Sequence, residues 1–445
     1  MIATMEGRSN QRGSPPPISY WVGYLFSIFL GIAIALLVRP AASPRAVASP
    51  TAGPVGNPVV SADGYVNFAS STVAVPPWGM LEFRRVPLED RQQVLVDGAE
   101  RLKPTRWHFI GCAPEQVLEL FHSVGLTGNQ TAELGSTNHW ECREGDCVIS
   151  PTDDTLLTLS PTARAAIYGA LARYSTNYGQ FFPFRFAGKV ADRLGECGLA
   201  QDSLKQVESM AYTNCHLLSF CDLEPLQRRL APAEFSALTR ALYSVPAVML
   251  QVRIKASQDI DRLIQYWGAG GRAQRIRPLL DSLGGELGES AISVSYFFPP
   301  FARLRLYTFP DPSTDAAEAK QDCFYTALNF FSDKPDEGYL KVENTRRALV
   351  TDYTMVAGQP QFGDLLAVIN GRGDALHVAV YVAADVVFTK NGANYLQPWT
   401  LMRIPDMMTY FPSEEPLRVV MLRKKALMNP SLEHAPATMI QAENK

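Results

Sequence analysis

Residues 362–392 decide the predicted fold, and they read FGDLLAVINGRGDALHVAVYVAADVVFTKNG. Two apolar runs, 365–369 and 378–382, are joined by a segment containing two glycines, and a third run, 386–389, follows a short break. Apolar runs of this length separated by Gly, Asn and Asp are typical of antiparallel strands joined by tight turns. The stretch therefore predicts a three-stranded meander.

The last two strands of this meander have one favoured register. A loop made of residues 383–385 would place a continuous apolar surface on one face of the strands, whereas a two-residue loop would divide it. That surface consists of Val378, Val380, Val382, Val386 and Phe388. The favoured register places His377 on the opposite face, directly across from Asn391 and diagonal to Thr389.

Asp322 and Cys323 predict the start of a helix. An aspartate at the N-cap accepts hydrogen bonds from the N–H groups of the first turn. A helix N-terminus and a nearby imidazole both favour the thiolate form that a cysteine nucleophile needs. We therefore predict Cys323 as a nucleophile and His377 as its base, with Asn391 or Thr389 orienting the ring.

This prediction requires the Cys323 sulfur and the His377 ring to lie within about 4 Å of each other. The alternative is structural. In that interpretation Cys323 is a buried helix residue, and His377 is a strand-end residue whose ring is satisfied by the backbone.

Composition bounds the class of protein. The chain has 445 residues, of which 47% are hydrophobic and 10% aromatic, enough for one or two sizeable cores. A net charge of −3 and short basic clusters argue against a nucleic-acid partner. The sequence has no CxxC pair, no HExxH helix and no phosphate-binding glycine loop, so no metal or cofactor is predicted.

The N-terminal part predicts a membrane anchor. Residues 18–38 carry no charge and, as a helix, would span roughly 30 Å. We predict a cytoplasmic tail at 1–17, an uncleaved transmembrane helix at 18–38 and a Pro/Ala/Ser linker at 39–64, with the rest of the chain in the periplasm or at the cell surface. The alternatives are a cleaved signal peptide ending near Ala48 and a buried core helix.

The seven cysteines fit a chain outside the cytoplasm. Six of them lie in the middle of the chain, where they can form three disulfides, and Cys323 stands alone. The alternative is that all seven are buried thiols in a reducing compartment. For Cys142 and Cys147, a local disulfide is favoured over a zinc site that would also use His139.

The middle of the chain, 65–290, is predicted to be a mainly helical domain of unknown role. Its amphipathic segments start after Ala113, at Ser160, near Val190, at Ala231 and at Ser257. Residues 248–254 predict one strand, and 291–310 have a strand-like pattern. A second domain is predicted at 291–425, followed by a disordered tail at 426–445.

Three short motifs in this second domain resemble a known family. Asp322-Cys323 at a helix start, Gly363-Asp364-Leu365 opening a strand, and a histidine on the next strand, at His377, resemble the NlpC-type papain-like cysteine peptidases, bacterial enzymes that cleave peptidoglycan stem peptides. The resemblance covers residues 311–421. It implies a papain-like fold with Cys323 as nucleophile, His377 as base and Thr389 at the orienting position.

The predicted fold class is therefore α+β, with an N-terminal transmembrane helix, a mainly helical middle domain and a C-terminal papain-like domain whose antiparallel sheet packs on a helix. The predicted function is that of a membrane-anchored cysteine hydrolase that cleaves an amide bond in peptidoglycan or another cell-envelope peptide. Acyl transfer to an amine would use the same residues. The alternative is a catalytically inactive papain-fold protein that acts as a cell-envelope binding or scaffold module.

Overall fold

The computed structural model describes residues 59–60, 66–67, 76–89, 102–143, 145–255, 259–285, 289–311 and 320–428. The predicted cytoplasmic tail and transmembrane helix, most of the predicted linker, and residues 429–445 lie outside these ranges.

The strands in the described residues, in chain order, are β1 (Val59–Val60), β2 (Val66–Asn67), β3 (Met80–Leu88), β4 (Trp107–Phe109), β5 (Trp140–Arg143), β6 (Asp146–Ile149), β7 (Phe184–Phe186), β8 (Tyr212–Asn214), β9 (Leu217–Phe220), β10 (Val245–Lys255), β11 (Glu289–Ser293), β12 (Tyr353–Met355), β13 (Leu365–Ile369), β14 (Ala375–Ala383), β15 (Val386–Thr389), β16 (Thr400–Arg403) and β17 (Arg418–Lys424).

The α-helices are α1 (Pro114–Ser123), α2 (Gly128–Leu134), α3 (Asp153–Thr158), α4 (Pro161–Leu171), α5 (Tyr178–Phe181), α6 (Val190–Leu194), α7 (Gln201–Met210), α8 (Leu223–Arg229), α9 (Pro232–Tyr243), α10 (Ile260–Trp267), α11 (Ala273–Gly285), α12 (Pro300–Arg305), α13 (Cys323–Leu328), α14 (Val342–Asp352), α15 (Ile404–Met408) and α16 (Lys425–Met428). Short 3₁₀ helices lie at Thr137–His139, Val294–Phe297 and Glu337–Leu340.

The largest sheet has six strands in the order β12-β17-β13-β14-β15-β16, and every neighbouring pair is antiparallel. Its central strands β13, β14 and β15 confirm the predicted meander. The predicted register is also confirmed, since Val380 pairs with Phe388 and Tyr381 with Val387. A bulge follows at Ala383, and the turn residue Ala384 has a positive φ of 52°.

This sheet is buried on both faces. One face belongs to a core, here called the first core, that contains Val378, Val380 and Val382 together with Cys323 from α13. The other face belongs to a second core, here called the methionine core, that contains Ala379 and Tyr381 with Met402, Met407 and Met421. Strands buried on both sides have nearly continuous apolar sequences, which is what β13 and β15 show.

The first core extends beyond the predicted C-terminal domain. It also includes residues from the sheet β11-β10-β3 and from α10, namely Val248, Leu250, Val252 and Ile254 on β10 and Trp267 on α10. Residues on both sides of position 290 are therefore packed in one core. The predicted strand at 248–254 is confirmed as part of β10, which is longer at both ends.

The middle region differs from the prediction of a mainly helical domain. Besides helices α1 to α9, it contains two three-stranded antiparallel sheets, β4-β6-β5 and β7-β9-β8. Their strands have only three or four residues. Strands this short carry too little alternation to be distinguished from loops by sequence pattern.

The strand-like pattern predicted at 291–310 is only partly correct. Residues up to Ser293 form β11, but a 3₁₀ helix and then α12 follow. Pro300 is the first residue of α12, a position at which proline's missing N–H costs nothing because that N–H has no partner within the helix.

The predicted fold class is therefore wrong for the part of the chain that the structure describes. This part is mixed α/β throughout, with several antiparallel sheets, and its middle region is not mainly helical. None of its helices is long and apolar enough to span a membrane.

The cysteines form fewer disulfides than predicted. Cys142 and Cys147, which face each other in the β5–β6 ladder, are joined as expected. The others are free, and they are Cys112, Cys197, Cys215, Cys221 and Cys323. The prediction of three disulfides is therefore wrong.

A buried ion pair joins the elements of the middle region. The Arg164 guanidinium on α4 contacts the Asp222 carboxylate just before α8, and both side chains are almost fully buried. The Tyr168 hydroxyl donates to the same carboxylate at 2.8 Å, and Arg164 also donates to the carbonyl of Leu156 at 2.6 Å. Removing one charge of such a pair leaves the other buried and uncompensated.

We expect Asp222→Asn to lower the free energy of unfolding by about 3–5 kcal/mol, because Arg164 would lose its counter-charge in a buried site. Urea denaturation measures this change. The matched control is Asp153→Asn, which removes the partner of Arg228 in a pair that is 47% and 38% exposed and should cost less than about 1 kcal/mol. Equal losses in the two variants would contradict the buried network's role.

Candidate functional site

Cys323 occupies the position that the sequence predicts. It is the first residue of α13, and the Asp322 side chain caps the helix by accepting from the Tyr325 N–H at 2.9 Å. The Cys323 side chain is 5% exposed and packs in the first core against β14. The predicted N-cap is therefore confirmed, in a helix whose residues are all buried.

Burial dominates the electrostatics of this thiol. It raises the pKa of Cys323 well above its ordinary value, and the neighbouring Asp322 carboxylate raises it further. A backbone hydrogen bond with Val378 and the positive charge of Lys390 oppose the rise without cancelling it. Cys323 is therefore a neutral thiol near pH 7.

His377 makes the contacts predicted for it with the next strand. Its Nε2 lies 2.8 Å from the Thr389 hydroxyl, which donates in turn to the Asn391 side-chain oxygen at 3.2 Å. Because the hydroxyl proton is used toward Asn391, the Thr389 oxygen accepts from His377, and the imidazole carries its proton on Nε2. The predicted grouping of His377, Thr389 and Asn391 is confirmed.

The surroundings of this imidazole keep it neutral. His377 is fully buried, its ring stacks on Phe411 with centroids 4.6 Å apart, and its Nδ1 has no hydrogen-bond partner among the residues that the structure describes. Burial lowers the pKa of His377 to about 3. A buried ring nitrogen with no partner for a second proton resists protonation.

Cys323 and His377 lie on opposite faces of the sheet. Val378, Val380 and Val382 point into the first core, where Cys323 lies. His377 pairs with Val368, which belongs to the methionine core, and successive side chains of a strand point to opposite faces. The predicted presentation of His377 toward Cys323 must therefore be corrected, since the structure does not bring the two together.

The error has a simple physical origin. The predicted register assigned His377 and the valines to the correct faces, but the prediction placed Cys323 on the His377 face, which the register alone does not determine. The apolar side chains of α13, including Phe324 and Tyr325, pack on the face of the sheet that belongs to the first core. Cys323, the first residue of the same helix, therefore lies on that face as well.

Lys390 was not among the predicted site residues, yet it lies on the same face as Cys323. Extending the observed register by two residues puts it opposite Val378. Its side chain is fully buried, and its ammonium donates to the carbonyls of Gly392 at 2.7 Å and Asn394 at 3.1 Å. The register predicted from the sequence also puts Lys390 opposite Val378, so this residue could have been identified before the structure was known.

An aromatic contact connects Lys390 to α13. The ammonium lies 5.6 Å from the centre of the Trp399 ring, and the Trp399 indole N–H donates to the Thr326 hydroxyl at 3.0 Å. Thr326 is three residues after Cys323 and therefore lies on the same side of the helix. Lys390, Trp399 and Thr326 thus hold α13 against the sheet near Cys323.

Asp364, from the Gly363-Asp364-Leu365 motif, has a structural role. Its carboxylate accepts two hydrogen bonds from Arg423 on β17, both at 2.7 Å, and one from the Gln361 N–H at 2.7 Å. The carboxylate is almost fully buried. This bidentate pair ties the start of β13 to β17.

No protein-family model, no curated protein and no solved structure matches this chain. The resemblance to the NlpC-type peptidases therefore stays a prediction. Within the described residues, no group of three or more Cys, His, Asp or Glu side chains is arranged to bind a metal ion.

Because the pKa of His377 is lowered to about 3 in the fold, the unfolded chain binds a proton there at a higher pH than the folded chain does. The stability contributed by neutral His377 is present above about pH 6.5 and is lost as the pH falls toward 3. We expect the titration of this residue to lower the free energy of unfolding of the wild type by about 2 kcal/mol as the pH falls from 7 to 5.

His377→Gln keeps a donor for Thr389 and removes this titration. Urea denaturation at pH 7 and pH 5 measures the free energy of unfolding of the wild type and of His377→Gln. The loss between the two pH values should be about 2 kcal/mol larger in the wild type than in His377→Gln. His122→Gln, at an exposed position, is the control for replacing a histidine by glutamine. A His377→Gln protein with the same pH dependence as the wild type would contradict a neutral, buried imidazole.

Proposed function

We propose that this chain is a non-catalytic scaffold or binding protein, and that its Cys323 and His377 are structural residues. The observation that carries the proposal is the placement of these two side chains on opposite faces of a sheet that is buried on both sides. A general base must reach the proton of its nucleophile directly or through one water. Backbone and packed side chains lie between these two groups.

The protonation states support the same proposal. Nucleophilic attack by a cysteine needs a thiolate, and the base that generates it needs a pKa near the working pH. Burial raises the pKa of Cys323 and lowers that of His377. Both shifts disfavour the thiolate–imidazolium pair, so neither group is prepared for catalysis.

Access supports it as well. A substrate carbonyl must approach a nucleophile to about 3–3.5 Å. Cys323 is covered by the first core, and His377 is covered by Phe411 and the methionine core. The predicted partner, peptidoglycan or another cell-envelope peptide, remains a prediction for the scaffold.

Thiol labelling tests the proposal. In the native protein near pH 7, we expect Cys323 to react with iodoacetamide at least about a hundredfold more slowly than in urea, because it is buried and protonated. His377→Ala should leave that slow rate unchanged. Cys112, which is partly exposed, provides an internal reference for the reagent. Fast labelling of Cys323 that disappears in His377→Ala would overturn the proposal.

One observation favours a second candidate, a cysteine amide hydrolase in which the positive charge of Lys390, instead of an imidazole at His377, stabilises the Cys323 thiolate. The Lys390 charge and the Val378 backbone both act to stabilise the Cys323 thiolate. If this candidate is correct, Cys323 should be labelled rapidly in the wild type. The labelling rate should be at least about tenfold lower in Lys390→Met and should partly recover in Lys390→Arg. If the chain is a scaffold, Cys323 should be labelled slowly in all three proteins.

A further inference from the structure

Strand β3 has an open edge. The sheet order β11-β10-β3 places this nine-residue strand at the border, with all its residues paired to β10 on one side. Within the residues that the structure describes, no strand pairs with its other side. Phe83 and Met80 on this strand are 42% and 48% exposed. Such an edge is a template for another strand.

The pairing with β10 shows which backbone groups point outward. Pro87 lies opposite Pro246, and neither residue has an N–H, so this cannot be a hydrogen-bonded pair of the ladder. Hydrogen-bonded and non-bonded pairs alternate along an antiparallel ladder, and this ladder has no bulge. The N–H and C=O groups that face outward, away from β10, are therefore those of Leu81, Phe83 and Arg85.

The side chains then select a partner and a register. If a second copy of β3 pairs antiparallel about a two-fold axis at Phe83, each Glu82 lies opposite the other copy's Arg84. An axis one residue later puts Arg84 opposite itself, and an axis one residue earlier puts Glu82 opposite itself. Like charges in directly opposed positions are unfavourable. The register centred on Phe83 avoids both.

We propose that this chain forms a two-fold symmetric dimer through antiparallel pairing of β3 with β3 of a second copy, centred on Phe83. The outward groups of Leu81, Phe83 and Arg85 then meet in three hydrogen-bonded pairs, which form about six backbone hydrogen bonds. The two exposed Phe83 rings lie side by side on one face. Glu82 and Arg84 form two symmetric ion pairs on the other face.

The result is one continuous six-stranded sheet across the dimer. A single strand pair is a small interface by the standards of permanent dimers. We therefore expect a reversible dimer with a dissociation constant in the micromolar range rather than an obligate one. This association is independent of the proposed lack of catalysis, because β3 contributes none of the residues discussed at the candidate site.

Disulfide trapping in the full chain tests the register. In the proposed dimer the two Phe83 Cα atoms lie about 5.5 Å apart, within disulfide range. The two Arg85 positions are four residues apart along the paired strands, about 14 Å. Mild oxidation at tens of micromolar should give a covalent dimer for Phe83→Cys and no more dimer for Arg85→Cys than for the wild type. Equal trapping of both variants, or of neither, would overturn the register.

Charge exchange tests the partner. Sedimentation velocity over a concentration series should show Arg84→Glu weakening dimerisation at least tenfold, because each Glu82 would then face a glutamate. Adding Glu82→Arg restores the opposite-charge pairs and should restore the dimer. Arg143→Glu, on edge strand β5, is the matched control and should have no effect.

Because Glu82 also contacts Arg253 in its own chain, thermal unfolding checks that each variant is folded. If Glu82→Arg lowers the melting temperature, Phe83→Pro replaces the exchange as the test. It removes an outward N–H without touching the β10 ladder, and it should also abolish the dimer. A wild-type protein that stays monomeric up to about 100 μM, or folded variants that dimerise as the wild type does, would overturn the proposal.

Discussion

The alternation of side chains along β14 is the constraint on which the rest of this structure depends. Because successive residues of a strand point to opposite faces, Val378 and its even-numbered neighbours pack with α13, while His377, Ala379 and Tyr381 pack with the methionine core. A shift of one residue would exchange every one of these contacts. The strand therefore determines which reactive side chains can meet.

Burial of the sheet on both faces limits access to the side chains that β14 places there. A catalytic cleft needs at least one open side, and here α13 covers one face of the sheet while Phe411 and α15 cover the other. Polar side chains inside such a sheet must be neutral or paired. His377 is neutral, Lys390 donates to two carbonyls, and Asp364 is paired with Arg423. Each of these arrangements satisfies a polar side chain inside the sheet.

The features that followed from the sequence are those set by local rules. The meander, its register, the Asp322 cap and the contact of His377 with Thr389 depend on residues close together in the chain. The face on which α13 packs depends on a connection of about forty residues, for which periodicity gives no rule. The short strands of the middle region were missed because three or four residues carry too little alternation to be recognised. The number of free cysteines was missed because disulfide formation depends on which cysteines the fold brings together, and spacing alone does not give that.

The position of β17 has a consequence for how the chain acquires its structure. This strand follows β16 in the sequence but lies between β12 and β13 in the sheet. Until residues 418–424 have left the ribosome, β12 has no neighbour, β13 has an open edge and Asp364 has no arginine to neutralise it. Closure of the sheet is therefore a late, non-local event. The meander β13–β15 is synthesised before β17, and part of its apolar surface stays exposed until β17 pairs with it.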